Sequence, residues 1–326
     1  MTARELALLI GWVMGVLTMP AYPAQPGASY PERPIRLLVP FAPGGGADTL
    51  ARIITPKLHQ MLGQPWVVDN RGGAAGNLAA DMVAHATPDG YTVFEGFSTV
   101  LTVNPSIYKL PFSMEKDLQP VTMLATAQYI LVLHPSVPAN SLKELIALAK
   151  QKPSSLNYAT AGVGSPLHLA GELFKKRAGI DMVPIAYKGG GPAAAAVLAG
   201  EAQLIFGSVA SSLPQVKAGR LKAIATTGAQ RAKVAPDLPT LAELGFPGFD
   251  VSSWYAFLLP RGTSATIVKQ LHDSAAKALE MNDVQQAMAR QGLDVETSTP
   301  QQLAERIRRE TRTWGEVIKE QGIKAE

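Results

Sequence analysis

Three glycine-rich stretches hold the residues best placed to do chemistry. They are Pro43-Gly44-Gly45-Gly46-Ala47-Asp48, Thr160-Ala161-Gly162-Val163-Gly164-Ser165-Pro166 and Tyr187-Lys188-Gly189-Gly190-Gly191-Pro192. Each follows a short apolar run and precedes a segment of helical periodicity, so each reads as a loop leading into a helix N-terminus. Free backbone N–H groups and the positive end of the helix dipole meet at such a point and attract anions. Glycine removes the side chain that would hold an anion away from those donors. Ser165 suits an N-cap, and Pro166 and Pro192 the first helical turn. One such loop is equally well read as a tight turn. Three of the same construction point to a convergent anion site.

Other chemistries fit less well. No Gly-x-x-x-x-Gly-Lys-Ser/Thr occurs, and Leu167 stands where a dinucleotide fingerprint needs its third glycine, so nucleotides are disfavoured. No Gly-x-Ser-x-Gly elbow surrounds Ser165 or Ser208. His168, three residues after Ser165, could act as a base for it, but no third group is identifiable to orient the ring. A histidine held by helix packing or lining a pocket is the preferred reading. Asp48 in a first helical turn reads first as a dipole or capping residue, and Trp254 and Tyr255 on an apolar strand read first as core. The 5 histidines show no zinc-helix pair, and the chain has no cysteine, which excludes disulfides and thiolate chemistry. No metal or cofactor is expected.

The elements that must carry these loops follow from the apolar pattern. Residues 35–39 form a strand candidate, and 48–62 a helix with Leu50, Ile53, Ile54 and Leu58 at helical spacing and a kink expected at Pro56. The order recurs with 66–68 and 78–84, with 156–159 and 167–178, and with 182–185 and 193–198. A further strand, 202–206, leads into a serine-rich stretch. Strands alternating with helices predict mostly parallel sheets with helices on both faces. Residues 129–134 and 254–259 are two more apolar strands where the alternation restarts, and 264–281 and 300–321 read as long helices.

A chain of 326 residues is long enough for about two domains. With 47% hydrophobic and 17% charged residues it is globular in composition, and a net charge of +4 without a basic block gives no nucleic-acid footprint. Residues 6–17 are uncharged and mostly apolar, too short for the roughly 20 residues of a membrane span. Preceded by Arg4 and followed by small residues, they read as a signal-peptide core, with residues 1–24 removed after Ala24. A permanent anchor is the alternative, opposed by Pro20, Pro23 and Pro26 just downstream.

The chain also resembles a known family. Residues 31–36 running into Val39-Pro40-Phe41-Ala42-Pro43-Gly44-Gly45, then Val68-Asp69-Asn70-Arg71, Gly73 to Asn77 and Pro88-Asp89-Gly90-Tyr91-Thr92, are similar to the Bug-type solute receptors of tripartite tricarboxylate transporters. The likeness continues through Tyr158-Ala159, 162–168, Tyr187-Lys188-Gly189, 221–225, Pro239-Thr240, Trp254-Tyr255 and Trp314. It implies an α/β, two-lobed periplasmic binding protein fold, each lobe a mostly parallel sheet with flanking helices and a hinged cleft between them. By resemblance, 30–127 with 253–326 form the first lobe and 128–252 the second. It further implies a non-enzymatic, monomeric periplasmic protein that binds a small di- or aromatic carboxylate and meets membrane transporter subunits.

By position, Phe41, Gly44, Gly45 and Asp48 match the first-lobe ligand loop, with Ser98 and Thr99 facing the same cleft. Ala161, Gly164, Ser165 and His168 match the second-lobe loop, beside Tyr187, Lys188 and Gly189. One departure is expected to matter. Relatives often show Phe-Asp-Asn where this chain has Phe206-Gly207-Ser208, which implies more room at Gly207 and Ser208 and no carboxylate for a cationic ligand group. A ligand-responsive signalling receptor would use the same closed lobe pair, and a secreted hydrolase using Ser165 and His168 is the enzymatic alternative.

Overall fold

The computed structural model describes residues 30–187 and 189–324. The export segment with Ala24 lies outside the described residues, as does Lys188. In chain order the first stretch forms β1 (Ile35–Val39), α1 (Gly46–Leu62), β2 (Trp66–Asn70), α2 (Asn77–Ala84) and β3 (Thr92–Phe97). Three short helical turns follow, α3 (Ser98–Thr102), α4 (Asn104–Ile107) and α5 (Met114–Asp117). Next come β4 (Leu118–Leu133), α6 (Leu142–Gln151), β5 (Asn157–Thr160), α7 (Pro166–Ala178), β6 (Val183–Ala186), α8 (Gly190–Leu198), β7 (Leu204–Ser208), α9 (Val209–Lys217) and β8 (Lys222–Thr226). The chain ends with β9 (Ser252–Pro260), α10 (Ala265–Glu280), α11 (Asn282–Arg290), β10 (Asp294–Val295) and α12 (Pro300–Glu320).

Local chemistry explains the helix boundaries. α1 buries Leu50, Ile54 and Leu58 on one face, runs on through Pro56 and stops at Gly63, which is left-handed. Ser165 caps α7 by accepting from the His168 N–H, with Pro166 in the first turn. Thr299 and Gln302 form a capping box at the start of α12.

The strands join in the order β2-β1-β3-β9-β4-β7-β5-β6, with β8 and β10 also paired to β4. β2-β1-β3 is parallel at one end and β7-β5-β6 parallel at the other. Between them β9 and β4 are antiparallel to each other and to their outer neighbours. The pattern of alternation predicted the outer triplets but not this central pair. The strand expected at 129–134 is the second part of β4, which at roughly 3.4 Å per residue spans about 50 Å and serves both ends. β3 therefore runs with β4 and β7 against it, so the carboxyl ends of the two parallel triplets point toward each other. The result is the two-lobed α/β architecture of a periplasmic binding protein, with a cleft between facing strand ends.

Each lobe has its own packing. Leu37, Leu50 and Phe257 belong to one apolar cluster of the first lobe and Phe94, Trp254 and Leu303 to the other. Tyr158, Phe174 and Phe206 lie in the core of the second lobe. The boundary expected for 253–326 is corrected at α12. Leu303 and Ile307 pack in the first lobe, whereas Trp314, Val317 and Ile318 pack in the second. The helix is long enough to put one apolar end in each core, with the Arg306–Glu310 pair between them, so it forms a third connection between the lobes.

α7 lies close on β5 because Gly171 has no side chain; a Cβ there would strike the Tyr158 ring. Gly171→Ala should therefore destabilise the protein by about 1–3 kcal/mol through overpacking, against the roughly 1 kcal/mol that alanine would add by helix propensity. Urea unfolding is the check, and an unchanged or higher stability would show that the Tyr158 ring can yield.

Candidate functional site

The first-lobe loop between β1 and α1 is organised from within. Asp48, buried in the first turn of α1, accepts a hydrogen bond from the Gly44 N–H at 2.9 Å. Arg52 Nε meets both Asp48 oxygens at 3.0 and 3.1 Å. The Arg52 guanidinium and the Gly44 N–H together hold the Asp48 carboxyl below its usual range, against the opposing effect of burial. Asn70, at the end of β2, donates to the Phe41 carbonyl at 3.0 Å.

The neighbouring loop after β2 is strained. Ala74 and Ala75 have φ of 47° and 55°, left-handed values that non-glycine residues rarely adopt. Asn104 holds the turn, donating to the Ala75 carbonyl at 3.0 Å and to Asn77 Oδ1 at 2.7 Å. Gly76 is required there, since a Cβ would meet Val100 Cγ2 at 2.7 Å.

The second-lobe loop repeats the device. His168 Nδ1 lies 3.2 Å from the Gly164 N–H and accepts from it, which places the ring proton on Nε2. That nitrogen faces Glu172 Oε1 at 3.9 Å. Glu172 in turn receives the Tyr158 hydroxyl at 2.5 Å and Lys175 Nζ at 3.0 Å. Tyr158 and His168 stack with planes 8° apart. Burial lowers the His168 pKa, outweighing the attraction of Glu172, so the ring stays neutral at neutral pH. Ser165 Oγ accepts from the His168 backbone N–H as the α7 cap, and the His168 ring is turned to the Gly164 N–H and Glu172, so these two side chains are not paired with each other.

Between the two lobes lies a cavity of about 340 Å³, in the range of small-ligand sites. Phe41, Ala75, Thr99 and Asn104 line it from the first lobe, with Ile107 and Tyr108 at its side. Gly162 to Ser165 face them from the second, and Lys324 closes the set. Of the residues named from sequence, the cavity gathers Phe41, Thr99, Gly164 and Ser165. Ser98 lies deeper, beside Thr99 in a small crevice opposite Pro166 and Leu169.

Other expected positions do not reach this cavity. Asp48 and His168 are buried behind their loops as internal acceptors, and Gly44 and Gly45 lie outside the lining. Ala161 and Tyr187 pack against the second-lobe core, Gly189 caps α8, and Ser208 caps α9. The room expected at Gly207 is filled, because a Cβ there would collide with Ser212 Oγ. Two of the glycine-loop donors are not free: the Gly44 and Gly164 N–H groups are already bonded within the protein. Ala75, Asn104, Tyr108 and Lys324 were not named from sequence. Only the glycines around Ala75 gave a local signal.

The model for the tripartite tricarboxylate transporter family receptor matches residues 50–323. The chain belongs to that receptor family. Protein BugT of Bordetella pertussis is 37% identical over 319 residues, covering 96% of this chain and 97% of its own. Among solved structures, an R. palustris protein with adipate is 34% identical with a TM-score of 0.77, covering 91% of this chain and 99% of its own. MatC from Rhodopseudomonas palustris with bound malate is 33% identical with a TM-score of 0.73, covering 89% and 100%. This receptor is thus similar to solute-binding proteins throughout its described length.

Behind the first-lobe loop of this receptor sits Glu95 on β3, fully buried, with neither carboxyl oxygen bonded to any described residue. Burial, and then the Asp48 charge, push its pKa well above the usual value. The native state thus keeps a proton that the unfolded chain releases above about pH 4.3. The contribution to stability is full below that pH and is lost as pH rises through the folded-state value. Glu95→Gln cannot ionise, so its melting temperature should match the wild type near pH 4.5 and exceed it increasingly toward pH 8. A difference independent of pH would show that Glu95 ionises normally.

Proposed function

We propose that this protein is an exported periplasmic receptor that binds a small organic carboxylate, a di- or aromatic acid, and presents it to membrane subunits of a tripartite tricarboxylate-type transporter. The observation that carries this reading is the interlobe cavity itself. Among the described residues it is lined by hydroxyl, amide and aromatic groups, with one cation and no acidic side chain. The adipate- and malate-bound relatives, both above 30% identity, support the ligand class. A relative solved as the periplasmic binding protein BugD, 31% identical, supports the compartment. No helix among the described residues is long and apolar enough to cross a membrane. The mechanism is closure of the two lobes on the ligand, driven by contacts that exist only when both engage it. Ser165 and Thr99 approach from opposite sides and are suited to that role.

Binding to the native state raises apparent stability, so a thermal-shift screen over mono-, di- and aromatic carboxylates tests the reading. At least one should raise the melting temperature in a concentration-dependent way. Thr99→Val, which keeps the shape and removes the hydroxyl, should weaken that ligand about tenfold by calorimetry, the equivalent of roughly 1.4 kcal/mol. Unchanged affinity would move the site elsewhere.

An ammonium group entering the cavity meets no carboxylate among the described lining residues, and burying it unpaired costs several kcal/mol. A dicarboxylate should therefore outcompete its matched α-amino acid by at least about tenfold. Equal or tighter binding of the amino acid in direct competition would overturn the assignment of the ligand class. Export is checked by fractionation: the mature chain should appear in the periplasm with its N-terminus between Tyr22 and Ser29. A membrane-bound chain retaining Met1 would contradict it.

A further inference from the structure

Several of the glycine-loop donors at the proposed carboxylate site are already bonded within the protein, and none of them carries a charge, which points to a side chain as the source of positive charge. The Gly44 N–H is bonded to Asp48 and the Gly164 N–H to His168. The Ser165 N–H is bonded to the Gly162 carbonyl at 3.2 Å. Among the described residues, what remains along the cavity wall is neutral, apart from Lys324.

Lys324 is delivered there by a specific chain ending of α12. Gly322 adopts a left-handed φ of 63°. Its N–H bonds to the Lys319 carbonyl at 3.4 Å, and the Ile323 N–H bonds to the Ile318 carbonyl at 3.0 Å. This pair of bonds is a Schellman motif, which reverses the chain and sets the residue after the glycine against the helix. Ile323 packs on the second-lobe core together with Ile318 and Trp314. With Ile323 anchored, the next residue, exposed Lys324, joins the lining of the cavity that Tyr108 of the first lobe and Gly164 of the second also face.

Resting on the carboxylate reading above, we infer that Lys324 is the counter-ion for a second carboxylate, so that the cleft selects dianions over monoanions. One ligand carboxylate sits between the Thr99 and Ser165 hydroxyls, and the other meets the Lys324 ammonium at the mouth. A charge-assisted hydrogen bond of this kind is stronger than a neutral one, and its exposed position makes it sensitive to salt.

The test is calorimetry on the full mature chain with two matched pairs, adipate against hexanoate and terephthalate against benzoate. Lys324→Gln and Lys324→Arg serve as variants, and the melting temperatures of the unliganded proteins confirm that the exposed substitution leaves the fold intact. The wild type should prefer the diacid in at least one pair. Lys324→Gln should weaken that diacid about tenfold, leave its monoacid within twofold, and flatten the salt dependence of diacid binding. Lys324→Arg should retain the preference. Diacid affinity unchanged by Lys324→Gln, equal losses for diacid and monoacid, or a wild type that binds monoacids at least as well would each overturn the inference while leaving the carboxylate reading in place. A wild type that binds none of the four acids would overturn both.

Discussion

The antiparallel pairing of β4 with β9 is the constraint on which the rest of the structure depends. Both strands cross between the lobes, with Ala127 opposite Ser253 and Gln128 opposite Ser252. Because β4 pairs with strands of both lobes, its direction dictates theirs. A parallel triplet running with it on one side and another running against it on the other must bring their carboxyl ends face to face. Loops at those ends are where backbone donors and helix N-termini collect, so a cleft with functional groups on both walls follows from strand direction alone. The crossing is pinned by side chains as well: the Tyr129 hydroxyl bonds to Ser253 Oγ, and the Thr227 hydroxyl donates to the Val251 carbonyl at 2.6 Å.

α12 adds a third connection of a different kind. Its Arg306 pairs with Glu310 at 2.7 Å and reaches Ser252 Oγ at 3.3 Å, while Glu310 accepts from the indole N–H of Trp254 at 2.8 Å. Burial raises the Glu310 pKa, opposed by the neighbouring Arg306 and the Trp254 indole. Removing one partner of this partly buried pair leaves the other uncompensated beside Trp254. The helix is thus tied at the crossing strand, and its far end is tied by Trp314, Val317 and Ile318 in the second core. Any change in the angle between the lobes must be accommodated along this helix as well as in β4 and β9.

The two glycine loops share a solution to the problem of their own backbone. A partly buried N–H left without an acceptor costs about 1–3 kcal/mol. In each loop an acceptor four residues downstream, Asp48 for Gly44 and His168 for Gly164, removes that cost before any ligand arrives. The loops are consequently held in shape in the unliganded protein. Their glycines serve the conformation of the loop, and the side-chain hydroxyl groups on the cavity wall are those of Thr99 and Ser165, with that of Tyr108 at its side. The strained turn at Ala74 and Ala75 is held in the same manner, by the Asn104 side chain across the wall of the cavity.

Local features were readable directly from the sequence because short-range physics determines them. Apolar periodicity marks α1, α7 and α12; Ser165 and Pro166 mark a helix start; the runs around Leu37 and Tyr158 mark parallel strands. Family resemblance located Phe41, Thr99, Gly164 and Ser165, which do meet in the cavity. The remainder required tertiary structure. Nothing local distinguishes the end of one strand from the middle of a longer one, so the continuity of β4 through Gln128 was hidden. A hydrogen-bond donor in a glycine loop looks free until the fold shows what accepts from it, which is why Gly44 and Gly164 were read as anion donors. Gly207 looked like vacant space until Ser212 was placed beside it. Lys324 carries no motif at all: its position in the cleft comes from a helix crossing between two cores and a reversal at Gly322, contacts separated by most of the chain.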